Sequence, residues 1–184
     1  MSTKVVTGTV RFSYLNVFKP KAINEGQEPK YSVCLLIPKE DKATLDKIRK
    51  AIEAEKKAGA SEKWKGKVPA NLKTPLRDGD EERADEHPEY AGMYFINANS
   101  AKKPVLLDEA KDEILDQTEL YSGCWGRANV NFYSFDVNGN RGIAVGLNAL
   151  QKKRDDEPLG GMITAESAAA DFDDDYEDDD DMLG

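Results

Sequence analysis

The segment 121–135, YSGCWGRANVNFYSF, alternates between two kinds of side chain, and no other pattern in the chain limits the fold as much. Successive residues of a β-strand point to opposite faces of its sheet, so this run predicts one long strand with two different faces. One face is small and apolar, as the interior of a barrel requires, and consists of Cys124, Gly126, Ala128, Val130 and Phe132. The other face carries rings, a guanidinium and amides, and it is predicted to lie outside.

Further strands are predicted where short apolar or alternating runs are bounded by turn residues. They are residues 5–14, 31–37, 93–99, 104–107 and 142–153. In the first of these strands, one side is predicted to hold the apolar residues Val6, Val10, Phe12 and Tyr14. The first strand is expected to pair with the second.

A tight hairpin is predicted between the last two strands, at residues 137–140. Asn138-Gly139 accepts the positive φ angles that a type I′ turn requires. This turn would place 121–135 and 142–153 side by side.

One amphipathic helix is predicted between the second and third strands. Asp41 is a suitable N-cap, and Gly59 is a plausible C-cap. Between them, apolar residues recur at helical spacing, at Leu45, Ile48 and Ile52. Residues 60–91 lack regular periodicity and are predicted to form a long loop.

These elements favour a mainly β fold, an OB-type five-stranded Greek-key barrel with one amphipathic helix. The helix comes earlier than the usual OB helix, which follows the third strand. The order of elements therefore departs from the common pattern.

The charge divides the chain into two parts. Its formal net charge is -9, but residues 155–184 hold 13 Asp and Glu and no Lys or Arg. Residues 1–154 hold all 26 Lys and Arg against 22 acids, a net charge of +4. We predict a mildly basic folded domain over 1–154 and a flexible acidic tail over 155–184, because the tail buries little and repels itself.

The outward face of 121–135 is the main candidate for nucleic-acid binding. It comprises Trp125, Arg127, Asn129, Asn131 and Tyr133. Any base can stack on a flat ring while cations follow the phosphates, which is how proteins bind single strands without reading their sequence. The alternative is that the two rings are buried against the helix or the 60–91 segment.

Other cations and rings are further candidates for the same surface. They are Arg11, Phe18, Lys19, Lys21, Trp64, Lys102, Lys103, Lys152 and Lys153. Lysines at strand ends are often only solvated or protect a sheet edge. Trp64, within KWKGK, fits either a mobile clamp on the strand or a plug at one end of the barrel.

The chain shows no pattern typical of an enzyme or a metal protein. His87 has no nucleophile in a recognisable motif near it, and neither a phosphate-binding glycine loop nor a metal-ligand spacing is present. Cys34 and Cys124 are predicted to be buried, reduced thiols. We expect no cofactor, no specific metal ion and no membrane segment.

Four stretches carry a resemblance to a known family: GTVRFSYLNVFKP, PKYSVCLLIPK, YSGCWGRANVNFY and the terminal acidic run. In these the chain resembles the OB-fold single-stranded DNA-binding proteins of tailed phages, long catalogued as a domain of unknown function. The resemblance implies coating of single-stranded DNA in replication, recombination or repair, in the cytoplasm of the infected bacterium.

The same resemblance implies a role for the tail in recruiting replication or recombination proteins and in competing with DNA. The acids concerned are Asp171, Asp173, Asp174, Asp175, Glu177, Asp178, Asp179, Asp180 and Asp181. The chain ends in Met182-Leu183-Gly184, whereas tails of bacterial and some phage proteins end in an aromatic residue.

Two other functions stay open at this stage. Rings and a basic face serve RNA as well as DNA, so an RNA-binding module is one alternative. An acidic interaction or DNA-mimic protein, with the tail as its active surface, is the other. The sequence also leaves self-association open.

Overall fold

The structure, a computed structural model, describes residues 3–22, 26 and 28–159. Within these residues, eight strands form a single sheet. The strands are β1 (Lys4–Val6), β2 (Val10–Lys21), β3 (Lys30–Pro38), β4 (Arg77–Asp78), β5 (Met93–Ser100), β6 (Val105–Leu107), β7 (Trp125–Val137) and β8 (Asn140–Arg154). The helices are α1 (Lys42–Glu62), α2 (Gly79–Glu82) and a 3-10 turn at Pro88–Tyr90.

Five of the strands close into a barrel. β2 pairs with β3 and β3 with β5, both antiparallel, and β5 pairs with β8 in parallel. β8 then pairs with β7, and β7 returns to β2, both antiparallel. This is the OB-type barrel predicted from the sequence, and it includes the expected pairing of the first two predicted strands.

The barrel interior is filled by the apolar faces of these strands. Phe12, Leu35, Ile96, Phe132 and Val145 are all at most 1% exposed. In β7 every second residue from Gly126 to Ser134 is buried, so the predicted alternation of that strand is confirmed. Burial of this apolar surface is the main stabilising contribution to such a domain.

The helix lies between the second and third barrel strands, as predicted. The side chain of Asp41 accepts a hydrogen bond from the Thr44 backbone N–H at 3.2 Å, which confirms the N-cap. The predicted end at Gly59 is wrong, because α1 continues to Glu62. Gly59 instead leaves room for Trp64, since a Cβ there would lie 2.8 Å from the indole.

The predicted loop 60–91 contains local structure that covers β3 from outside. Tyr90 packs with Cys34, Leu36 and Phe95 in a second small core. β3 is therefore buried on both faces, which explains its unbroken apolar sequence.

The predicted strand 5–14 is two strands, β1 and β2, that share one edge of β7. Val6 is opposite Asn129 whereas Val10 is opposite Gly126, so one extra residue lies between the two pairings. This irregularity reverses the pattern: Val6 turns partly outward, and Thr7 is fully buried. The prediction that Val6 faces the same side as Val10 is wrong for this reason.

In the hairpin formed by β7 and β8, the predicted turn is confirmed but the predicted start of the first strand is not. Val137 is opposite Asn140, and Asn138 and Gly139 both have positive φ angles, 53° and 82°, so the predicted two-residue turn is confirmed. The strand itself begins only at Trp125, so residues 121–124 form an irregular segment rather than part of the predicted strand.

Among the described residues, no helix is long and apolar enough to cross a membrane.

Candidate nucleic-acid interface

The outward face of β7 forms an open row beside small residues of β8. Tyr133 is opposite Ala144 and Asn131 is opposite Gly146. A Cβ on Gly146 would lie 2.7 Å from Oδ1 of Asn131, so the absence of a side chain at Gly146 leaves room for the Asn131 amide. Tyr133 is 38% exposed. The row is accessible to a flat ligand.

Two polar side chains of the row are held in place by neighbours. Nε of Arg127 donates to the backbone oxygen of Thr7 at 2.8 Å. Nδ2 of Asn148 donates to Oδ1 of Asn129 at 3.2 Å. These contacts fix the direction of both side chains before any ligand arrives, which reduces the entropic cost of binding.

Trp125 starts the row and lies between cations and a carboxylate. Its backbone is opposite Arg11, whose guanidinium carbon is 5.9 Å from the indole centroid. The guanidinium of Arg154 is closer, at 4.5 Å. The indole Nε1 donates to Oδ2 of Asp156 at 2.8 Å. The ring is half-buried rather than part of the core, and Arg154 and Asp156 are partners outside the predicted set.

Residues 155–159, which we call the exit segment, lie against this cluster. Asp155 forms an ion pair with Lys152 at 2.6 Å and accepts from the Tyr121 hydroxyl at 2.8 Å. Asp156 is 3.7 Å from Arg11. The backbone N–H of Leu159 donates to the Ser122 oxygen at 2.8 Å. The first two predicted tail residues thus neutralise predicted binding cations.

The charges of the exit segment show in the pKa values. The hydrogen bond from Lys152, followed by that from Tyr121, lowers the pKa of Asp155. The indole N–H of Trp125 lowers the pKa of Asp156, with smaller contributions from the Glu157 backbone and from Arg11. Desolvation, together with the bond to Asp155, raises the pKa of Tyr121 to about 12. Both carboxylates are charged at neutral pH.

A cleft of about 720 Å³ adjoins the exit segment. It lies between β2, the Pro88–Tyr90 turn and residues 117–122, with Leu159 at its edge. Phe18, Lys19 and Lys21 line it, so the structure brings these three predicted residues together. Lys103 reaches the same place, since its Nζ is 5.7 Å from the Phe18 ring. Lys102, the preceding residue in the chain, is exposed, and Lys153 is half-buried on β8.

Tyr14 and His87 also line the cleft, and sequence reasoning missed both as site residues. Tyr14 was expected on the buried side of its strand, but it is 52% exposed. The register of β2 shifts between Ser13 and Asn16, and this bulge turns the ring outward. No period-two pattern contains a signal for such a shift.

Trp64 requires a correction. It is 2% exposed, and its Nε1 donates to the Phe135 oxygen at 3.1 Å. The ring packs between the end of α1 and β7, where no base could reach it. The predicted clamp is therefore wrong, and the alternative, a ring that fills the core, describes its place.

Cys34 and Cys124 are both buried, free thiols, and burial raises the pKa of each. In the described part of the chain, no group of three or more His, Cys, Asp or Glu is arranged to hold a metal ion. The tail acids from Asp171 to Asp181 lie outside the described residues.

Comparison with known proteins identifies the family. Residues 3–183 match the family model described as Enterobacter phage Enc34, ssDNA-binding protein. The chain belongs to this family. The chain is also similar to protein p50 of Acyrthosiphon pisum secondary endosymbiont phage 1. The two are 29% identical over 175 residues, and the match covers 89% of this chain and 91% of p50.

Solved structures agree with this assignment. The single-stranded DNA-binding protein of bacteriophage Enc34 in complex with ssDNA is 31% identical, with a TM-score of 0.77 over 86% of this chain and 90% of that one. Bacteriophage T7 gp2.5, a single-stranded DNA-binding protein, is 14% identical with a TM-score of 0.62 over 95% and 97%. The likeness to gp2.5 shows the shared fold alone, whereas the Enc34 protein is a relative.

Proposed function

We propose that this chain coats single-stranded DNA, without strong sequence preference, during phage DNA replication, recombination or repair. The observation that carries the proposal is the outward row of β7, where the half-buried ring of Trp125 and the exposed ring of Tyr133 flank polar side chains that neighbours hold in place. Rings stack on any base, and the exposed guanidinium of Arg127 in the same row attracts phosphates. The Enc34 relative, solved with ssDNA, supports the same class of ligand.

The proposal assigns separate tasks to two parts of the chain. Residues 1–154 form the binding domain, and residues 155–184 form an acidic tail that recruits replication or recombination proteins. Stacking and charge pairing need no cofactor, so we infer a binding protein rather than an enzyme. Its place of action is the cytoplasm of the infected bacterium.

A titration with three labelled ligands tests the proposal. Fluorescence anisotropy is measured with oligo-dT, with a duplex of the same length and with oligo-U, all at the same salt concentration. Oligo-dT should bind more tightly than the duplex, because bases in a duplex are not free to stack. Equal affinity for the two would contradict the stacking surface, and a clear preference for oligo-U would favour the RNA-binding alternative.

A second titration separates the domain from its tail. The chain ending at Arg154 should still bind oligo-dT, because the proposed surface lies within it. A truncated domain that bound no nucleic acid, beside a full chain that bound partner proteins, would contradict this. The chain would then be better described as an acidic interaction protein.

A further inference from the structure

We propose that the cleft beside β2 is a nucleotide subsite of the bound strand, with Tyr14 as its base-stacking platform. The inference rests on the proposed function and extends it to a second surface, the cleft that Leu159 of the exit segment lines. Its volume of about 720 Å³ falls within the range of roughly 300–1,000 Å³ in which proteins hold small organic ligands.

The backbone of Tyr14 points to a function for its ring. Its φ angle is 47°, which is an outlier for a bulky residue and strains the backbone at this position. Strain of this kind persists only where the surroundings fix it, and it is concentrated at binding sites. Here it turns a large ring, 52% exposed, into the cleft, where a base can reach it.

Neighbouring groups hold Tyr14 in this position. The His87 ring meets the Tyr14 ring edge-on, with centroids 6.5 Å apart and planes at 79°. Nδ2 of Asn16 donates to the Tyr14 backbone oxygen at 3.2 Å, and the Leu15 N–H donates to Oγ of Ser122 at 2.9 Å. The platform is preorganised, so a base that stacks on it does not have to order it.

The charges of the cleft give a nucleotide one preferred direction. Glu89 lies beside His87, 3.6 Å from its Nδ1, at the same side as Tyr14. Lys19 and Lys21 line the other part, where Lys103 approaches the Phe18 ring. A phosphate is repelled by the carboxylate and attracted by the lysines, so the base lies at Tyr14 and the phosphates lie towards Lys19 and Lys21.

Photochemical cross-linking tests the subsite directly. Oligo-dT that carries one 5-iododeoxyuridine is irradiated with the full chain, and the modified peptides are mapped. Cross-links at Tyr14 or Phe18 are expected beside those on β7. Cross-links confined to β7 would overturn the subsite while leaving the proposed function intact.

Variants of Tyr14 separate binding from folding. Tyr14→Gly removes the ring and also relieves the positive φ, so its melting temperature should equal or exceed that of the natural chain. Its affinity for oligo-dT should fall about 5- to 150-fold, as expected for the loss of one stacked base. Tyr14→Phe keeps the ring and should bind like the natural chain.

A control variant and the natural chain complete the design. Val137→Ala, which changes an exposed residue at the far end of β7, should alter neither affinity nor cross-linking. Unchanged affinity in Tyr14→Gly would overturn the inference. A natural chain that does not prefer oligo-dT to duplex would instead refute the proposed function, so the two failures are distinguishable.

Discussion

At the scale of single residues, the two tryptophans show that the same type of side chain can serve either the surface or the core. Trp125 is half-buried on the barrel surface, between Arg11 and Arg154. Trp64 is buried between α1 and β7. Both indole N–H groups have an acceptor, a carboxylate for Trp125 and a backbone oxygen for Trp64. Their substitutions should therefore have opposite consequences.

Trp125→Ala should weaken oligo-dT binding by about 1–3 kcal/mol, because it removes one stacking ring from the outward row. Its melting temperature should change little, since the ring lies outside the core. Anisotropy titration and thermal unfolding measure the two effects. An unfolded variant would show instead that the ring belongs to the core.

Trp64→Ala should lower the free energy of unfolding by about 3–5 kcal/mol, as large aromatic truncations in a core do. The fraction that stays folded should bind oligo-dT with unchanged affinity. Chemical denaturation followed by circular dichroism measures the first effect. A stable variant with weak binding would restore the clamp interpretation of Trp64.

At the scale of elements, the exit segment connects the end of β8 to the start of β7. Asp156 accepts from the Trp125 indole, and Asp155 pairs with Lys152. Gly123 permits this close approach, because a Cβ there would lie 2.2 Å from the Glu157 oxygen. The charged contacts are exposed to solvent, so they should respond readily to pH and salt.

The contact between Asp156 and Trp125 should be lost only at acidic pH. The folded chain lowers the pKa of Asp156, so the contact is complete at neutral pH. It should persist below pH 4, about where an ordinary Asp is protonated, and disappear as pH falls through the lowered pKa. In a Trp64→Phe background, Trp125 emission should report this step. Asp156→Asn should abolish the step, and an identical titration in that variant would refute the assignment.

At the scale of the whole molecule, the proposed binding domain and the proposed tail carry opposite net charges. Residues 1–154 carry a net charge of +4, which favours binding to DNA, and residues 155–184 hold 13 acids, which we expect to oppose it. A tethered competitor can act at an effective concentration of about 1 mM, so even weak docking of the tail would reduce apparent affinity.

Deleting residues 171–184 should therefore tighten binding to oligo-dT, most clearly at low salt. Added ions screen the attraction of the tail to the domain as they screen that of DNA. Titrations of both chains over a series of salt concentrations measure the difference. The same deletion should abolish recruitment of partner proteins, while unchanged or weaker binding at low salt would remove the competitor hypothesis.

The sequence by itself determined the features that depend on local periodicity and turn chemistry. The alternation in β7, the Asn138-Gly139 turn and the Asp41 cap all follow from contacts within a few residues, and all three were predicted. The mainly β character and the barrel followed from the number and length of the alternating runs. The outward direction of the β7 row followed in the same way, because one face was clearly suited to a core.

The tertiary structure decided what depends on contacts between distant segments. Val6 and Tyr14 do not lie on their predicted faces, because irregularities in strand pairing shift the register of β1 and β2. A local sequence pattern does not show which strands pair. Trp64 is buried in the core because Gly59, which has no side chain, leaves space for its ring. No sequence pattern relates these two residues. The grouping of Tyr14, Phe18 and His87 in one cleft likewise arises only when β2 and the Pro88–Tyr90 turn meet, since long-range packing brings together side chains that no sequence spacing relates.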